Sequence, residues 1–169
     1  LIRELGDYTS SLSLLNKDQP IFIDGPYGDM ALSAAESALA IVLVASGVGF
    51  GPIMSLLRQI VEWNDPRPIR LVYGNQTFDQ MVFLDEIRAI EQRLPNFKVQ
   101  LVCYESTLQD NIYCGYIDQT CLEQSIKDLA LDEVSWYLCG SELMITGVKS
   151  VLNQLDVHPQ HVHFEQLSF

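Results

Sequence analysis

Ile41-Val42-Leu43-Val44-Ala45-Ser46-Gly47-Val48-Gly49-Phe50-Gly51-Pro52 is the stretch on which the fold of this chain turns. It begins as an unbroken apolar run of β-branched character, the mark of a strand buried on both faces. It then passes through Gly47, Gly49 and Gly51 into a segment where Ile53, Leu56, Leu57, Ile60 and Val61 recur at helical spacing. Glycines let a backbone come close to a ligand. The helix start behind them offers unpaired N–H groups and a partial positive charge to a pyrophosphate. On that reading a side chain at Gly49 fills ligand space, so Gly49→Val is expected to abolish nucleotide binding and leave the fold intact. Pro52 suits a first helical turn, where its missing donor costs nothing. The spacing G-x-G-x-G-P is not the G-x-G-x-x-G of classical dinucleotide folds. The plainer alternative is a tight strand-to-helix turn with no ligand. A serine hydrolase is set aside, because Ala45-Ser46-Gly47-Val48 does not supply the G-x-S-x-G elbow.

Outward from this stretch the alternation repeats. Asp65-Pro66-Arg67-Pro68 stops the first helix. Strands are predicted over 69–73, 99–103, 136–139 and 161–164, and helices over 83–94, 117–129 and 143–155. A polar loop over 104–116 separates the third strand from the third helix. Strands alternating with helices over short connections imply an α/β fold: a five-stranded parallel sheet with helices on both faces. Ligands of such sheets sit at the carboxyl ends of the strands, where strand order reverses. Upstream, residues 12–15 are apolar, 20–23 read as a short strand, and Asp24-Gly25-Pro26-Tyr27-Gly28 is a turn. The small, polar residues 29–37 read as a connection. This opening is too short to be a domain of its own.

The chain has 169 residues and a formal net charge of −12, and 48% of it is hydrophobic. That composition buries a full core. The acidic surface argues against nucleic acid and against anionic lipid. It does not argue against a nucleotide held by backbone N–H groups. No signal peptide opens the sequence, which starts without Met, and the most apolar run, 38–50, falls short of the roughly 20 residues that span a bilayer. Cys103, Cys114, Cys121 and Cys139 form no C-x-x-C pair and read as reduced thiols in a cytoplasmic setting, three of them small buried hydrophobes. His158, His161 and His163 lack the further ligand of a usual zinc pattern and read as polar residues at a sheet edge, so no metal site is expected.

Five motifs in order carry a resemblance. They are Gly6-Asp7-Tyr8-Thr9-Ser10 with Gly25-Pro26-Tyr27-Gly28; Gly47 to Pro52; Tyr73-Gly74-Asn75-Gln76-Thr77 with Phe83-Leu84-Asp85-Glu86-Ile87; Tyr137-Leu138-Cys139-Gly140-Ser141-Glu142-Leu143-Met144; and His163-Phe164-Glu165-Gln166-Leu167-Ser168-Phe169. Together they resemble the ferredoxin–NADP reductase superfamily, in the flavour of its ferric-reductase and NADPH-oxidase branch. The resemblance implies a ferredoxin-reductase-like nucleotide-binding domain over 38–169, preceded over 1–37 by a short β tail of an FAD-binding barrel and a connection. The barrel's Arg-x-Tyr-Ser/Thr signature is absent here. It implies that Gly47, Val48, Gly49, Phe50, Gly51 and Pro52 cradle the pyrophosphate, that Asn75 and Gln76 lie by the adenosine ribose, and that Cys139 and Gly140 sit at the nicotinamide. Glu165 and Phe169 would meet the flavin ring, with Phe169 covering the face that nicotinamide enters, and Thr9 and Ser10 would contact the flavin's phosphate side. Cys139, Glu165 and Phe169 are thus the implied catalytic residues. Two departures stand out: Ser141 follows Gly140 where the family has Pro, and Gly51 stands where Thr or Ala is common.

The implied function is passage of hydride from NAD(P)H to FAD, and of electrons onward to haem, ferric iron or an iron–sulfur protein. The partners are the missing FAD domain and that acceptor, with any membrane contact made only through missing segments. Without its FAD domain the fragment is expected to be inactive. The alternative is a non-catalytic nucleotide-binding or interaction domain. A flavodoxin-like module is disfavoured, because no Ser/Thr-rich phosphate loop follows the first strand. On specificity the residues favour NADH over NADPH. A 2′-phosphate normally needs Arg or Lys, yet Gln76 stands where NADPH-using relatives often have arginine. The loop 104–116 carries Glu105 and Asp110 and no basic residue. Asp79 is placed to bond the ribose hydroxyls and repel a 2′-phosphate.

Overall fold

The computed structural model describes residues 2, 6–25, 28, 30–32, 37–105, 111–130 and 133–167. Strand β1, Ala40–Ser46, is buried at every position, as its unbroken apolar run requires. It lies inside a parallel sheet with β2 (Ile69–Asn75), β3 (Phe97–Cys103), β4 (Ile112–Cys114), β5 (Val134–Gly140) and β6 (Val162–Gln166). The strand order is β4-β3-β2-β1-β5-β6. β1 pairs with β2 on one side and β5 on the other, so strand order reverses between β1 and β5.

Helices cover both faces. Ile41, Leu43 and Ala45 pack with Ile53, Leu57 and Ile60 of α2 (Phe50–Trp63) and with Ile87 and Ile90 of α3 (Leu84–Arg93). Val42 and Val44 face the other way, onto Leu122 and Ile126 of α4 (Gln119–Ile126) and Ile145, Val148 and Leu152 of α5 (Glu142–Gln154). Each Val, Leu or Ile among them contributes about 1.5–3 kcal/mol on burial, so these two layers dominate stability. The caps follow local chemistry. The Asp118 carboxylate accepts from Cys121 N at 2.9 Å to start α4. Asn64, left-handed at φ 49°, closes α2.

One buried charge interrupts the apolar pattern. Arg70 of β2 is 5% exposed, and its Nη2 pairs with Asp128 Oδ2 at 2.8 Å. Lys98 Nζ reaches the same oxygen at 2.5 Å, and the two cations hold the Asp128 carboxyl down at about 2. Asp65, buried beside the end of α2, is likewise held below the usual carboxylate range by hydrogen bonds from Arg67.

Three expectations are corrected. The sheet has six strands, not five, because β4 forms inside the presumed polar loop and pairs with β3 at Leu101↔Ile112. Three residues are too few to show a period of two. The β tail is not found among the described residues: positions 7–11 form the short helix α1 (Asp7–Ser11), followed by a 3₁₀ turn at Leu12–Leu14. Thr9 Oγ1 accepts from Gly6 N and donates to Gly6 O, local bonds that close the first turn of this helix. The third correction is at 20–23, which form no strand. They pair with no strand among the described residues, and Phe22 and Ile23 stay exposed. A strand without a partner leaves its ladder groups to water.

Of the cysteines, Cys103, Cys121 and Cys139 are buried and Cys114 is exposed. No helix among the described residues is long and apolar enough to cross a membrane.

Candidate nucleotide-binding cleft

The carboxyl ends of β1, β2, β3 and β5 open into a cleft of about 730 Å³. It sits where strand order reverses, as the sheet rule requires. Ser46 ends β1 on its floor, and Gly47 follows with φ 54°, a left-handed conformation with nothing within 4 Å of where a Cβ would stand. Gly47 and Val48 line the cleft, and the amino end of α2 lies just beyond them. Gly140 and Ser141 line it from β5, where Ser141 Oγ caps α5 by accepting from Met144 N at 3.4 Å. Two helix starts therefore flank one opening, and each favours an anion.

The opposite wall comes from β2 and β3. Tyr73, Asn75, Gln76, Asp79, Tyr104, Glu105 and Tyr116 line it. Asn75 is committed to shaping this wall: its Nδ2 donates to Gln80 O at 2.8 Å and its Oδ1 accepts from Gln76 N at 3.1 Å. Gln76 Nε2 donates to Glu105 Oε1 at 2.8 Å. The rings of Tyr104 and Tyr116 stack with centroids 5.0 Å apart, giving a flat aromatic surface suited to a planar base. Tyr104 also bonds Ser46, linking the end of β3 to the end of β1, and burial pushes its phenol up. Gly74 makes room for this crossing, since a Cβ there would stand 3.0 Å from the Tyr104 hydroxyl. Among the described residues lining the cleft are two carboxylates, Asp79 and Glu105, and no Lys or Arg.

The residues named from sequence separate into groups. Gly47, Val48, Asn75, Gln76, Asp79 and Gly140 meet in the cleft. Gly49 does not line it. A Cβ there would stand 2.7 Å from Gly140 N and collide with the Cys139 carbonyl. Its bareness lets the turn pack against β5, which corrects the expectation that Gly49→Val spares the fold. Phe50 lies in the core, its ring 3.9 Å from that of Tyr73, and Gly51 and Pro52 belong to the first turn of α2. Cys139 is fully buried among the apolar residues on the α2 side, and burial pushes its thiol up to about 12, so it is neutral at physiological pH. Glu165 stands beside Cys139 in register, and a Cβ on Gly28 (φ 97°) would collide with its carboxylate. Thr9 and Ser10 lie in α1 and do not line the cleft. The Phe169 expectation falls outside the described residues.

His163 stacks on Tyr137 at 4.9 Å on the edge strand β6, and its imidazole is pushed down by burial. Sequence reasoning missed Ser46, Tyr104, Tyr116, Ser141 and Leu167 as cleft residues. Four of these follow or end a strand, which was the available signal. Leu167 N bonds Gly140 O at 2.9 Å, extending the tail over the end of β5.

Comparison with known proteins gives a family. Residues 43–150 match the oxidoreductase NAD-binding domain. The chain is 30% identical over 171 residues to the toluate 1,2-dioxygenase electron transfer component of Pseudomonas putida, covering 99% of this chain and 49% of that protein. It spans about half the length, or less, of the curated relatives it matches. The cytochrome b5 reductase domain of Ulva prolifera nitrate reductase superposes with a TM-score of 0.80 at 19% identity, covering 95% of this chain and 64% of that one. A ferredoxin NADP+ reductase from Neisseria gonorrhoeae with bound FAD and NADP gives 0.78 at 16%, covering 98% and 71%. These matches do not single out the ferric-reductase branch. The chain belongs to the oxidoreductase NAD-binding domain family.

Proposed function

We propose that this chain is the NAD(P)H-binding module of a flavin-dependent oxidoreductase. Residues 1–37 are then the end of its FAD-binding barrel and the connection, and 38–169 the nucleotide domain. One observation carries the reading: the cleft at the β1/β5 reversal, with a glycine turn and two helix starts on one side and an aromatic, hydroxyl-rich wall on the other. A nicotinamide bound there would supply hydride to a flavin held by the barrel, and electrons would then pass singly to haem, ferric iron or an iron–sulfur centre.

The chain's own residues do the holding. Amides at Gly47 and Val48 and the start of α2 meet the pyrophosphate. The Tyr104–Tyr116 surface takes the adenine, and Gln76, Asp79 and Glu105 take its ribose. Gly140 and Ser141 stand at the nicotinamide end, and the neutral thiol of Cys139 lies beneath them as an uncharged, polarisable group. Toward a flavin, Glu165 would relay a proton, Phe169 would cover the ring face, and Thr9 and Ser10 would meet the phosphate side. Asp79 and Glu105, with no basic residue among their described neighbours in the cleft, favour NADH. The expected compartment is the cytoplasm.

The test is calorimetric titration of the chain with NADH and ADP-ribose. Saturable NADH binding with ADP-ribose competing is expected. Absence of binding by both would leave the cleft without its ligand.

A further inference from the structure

A pair of thiols lies outside the cleft chemistry. Cys103 ends β3 and Cys114 ends β4, and the two are in register in the parallel pairing of these strands. The residues before them, Val102 and Tyr113, are also in register and both pack on the α4 side. Successive side chains of a strand point to opposite faces, so Cys103 and Cys114 project together on the other face. Neighbouring strands lie about 4.7–4.9 Å apart, inside the roughly 4.4–6.8 Å between Cα atoms that a disulfide bridges.

We infer that Cys103 and Cys114 are a reversible disulfide site that staples the edge strand β4 to β3. The pair has an entry point and a resolving partner. Cys114 is exposed, whereas Cys103 is buried, its thiol pointing at the Gln76 carbonyl 3.7 Å away. Burial pushes the Cys103 thiol up, and the nearby Cys114 adds to the shift. β4 is three residues long and pairs along one side only, so it yields locally at low cost. With a low-molecular-weight disulfide as oxidant, the Cys114 thiolate attacks one of its sulfurs and releases one small thiol. The Cys103 thiolate, its proton given up to solvent, then attacks the Cys114 sulfur and releases the second. Two protein thiols are oxidised, one small disulfide is reduced, and one protein S–S bond forms. The slow step is the second, because Cys103 must ionise where burial opposes charge. The staple closes directly behind Tyr104 and Glu105 of the cleft wall.

The experiment treats the intact protein with oxidised glutathione and maps its peptides without reduction. The expected result is a transient glutathione adduct on Cys114 that gives way to a Cys103–Cys114 link, reversed by dithiothreitol. Amide exchange at Ile112–Cys114 should slow on oxidation by about tenfold or more, the measure of a local opening suppressed. C114S should form no link. C103A, which keeps a small apolar group in the buried position, should hold the adduct on Cys114. If the wild type keeps that adduct as C103A does, or if the links join other cysteines or separate chains, the inference is wrong.

Discussion

At the residue scale, Gly47 and Gly49 look alike in sequence and do different things. Gly47 faces open space with a left-handed φ of 54°, so Gly47→Ala should cost about 1 kcal/mol of backbone strain and weaken NADH binding with the fold retained. Gly49 abuts the backbone of Cys139 and Gly140, so Gly49→Val should destabilise by about 1–3 kcal/mol or more. Urea unfolding of the two variants separates the cases, and equal midpoints would contradict the packing argument. Specificity is also set residue by residue. Gln76 already donates to Glu105, so an arginine at 76 would pair with that carboxylate before any 2′-phosphate. Gln76→Arg alone should barely move the NADPH-to-NADH ratio. Gln76→Arg with Glu105→Gln should raise it by about 1–3 kcal/mol, roughly 5- to 150-fold, taking one charge-assisted contact as the measure. The ratio of kcat/KM for the two cofactors at fixed ionic strength reads this out, and a full shift from the single variant would show that Glu105 does not compete. Sequence alone named Gln76, Asp79 and Glu105 as the discriminating residues. It did not reveal that two of them are bonded to each other, because that depends on how β2 and β3 align.

At the scale of elements, long periodic segments were legible and short ones were not. The buried run of β1 and the helical spacing of α2 specify themselves through burial. β4 was hidden because Ile112-Tyr113-Cys114 has no room for a pattern. Its boundaries were nonetheless written in Asn111 and Gly115, both at positive φ. The apolar residues at 20–23 misled in the opposite sense, since composition favours a strand but they pair with none among the described residues. Arg70 in β2 was passed over as part of an apolar strand, and it is balanced by Asp128. Asp128→Asn should therefore destabilise by about 1–3 kcal/mol, because it leaves a buried guanidinium short of its counter-charge. The folded-state pKa of Asp128 lies below its unfolded value, so its contribution is present above the ordinary carboxylate range and is lost as pH falls toward about 2. Stability curves of wild type and Asp128→Asn should converge over that acid window. A constant gap down to the lowest pH would assign the loss to packing.

At the scale of the whole molecule, the alternating α/β order, the family and the end of the sheet at which the cleft opens were legible in the residues. The position of the reversal between β1 and β5 came only with the pairing. The two thick apolar layers should let the chain fold by itself, while Thr9 and Ser10, in a helix with no buried residue, offer a flavin little grip. The purified 169-residue chain should accordingly carry no stoichiometric flavin, and a yellow preparation with FAD at one per chain would contradict the division at residue 37. The most direct measurement of the central claim uses the longer, flavin-carrying protein that the proposed function requires, mixed anaerobically with NADH in a stopped-flow spectrometer. The account predicts bleaching of the flavin absorbance at a rate that saturates with NADH, more efficiently than with NADPH, and with weakened NADH affinity in Gly47→Ala. A flavin that neither nucleotide bleaches would contradict it.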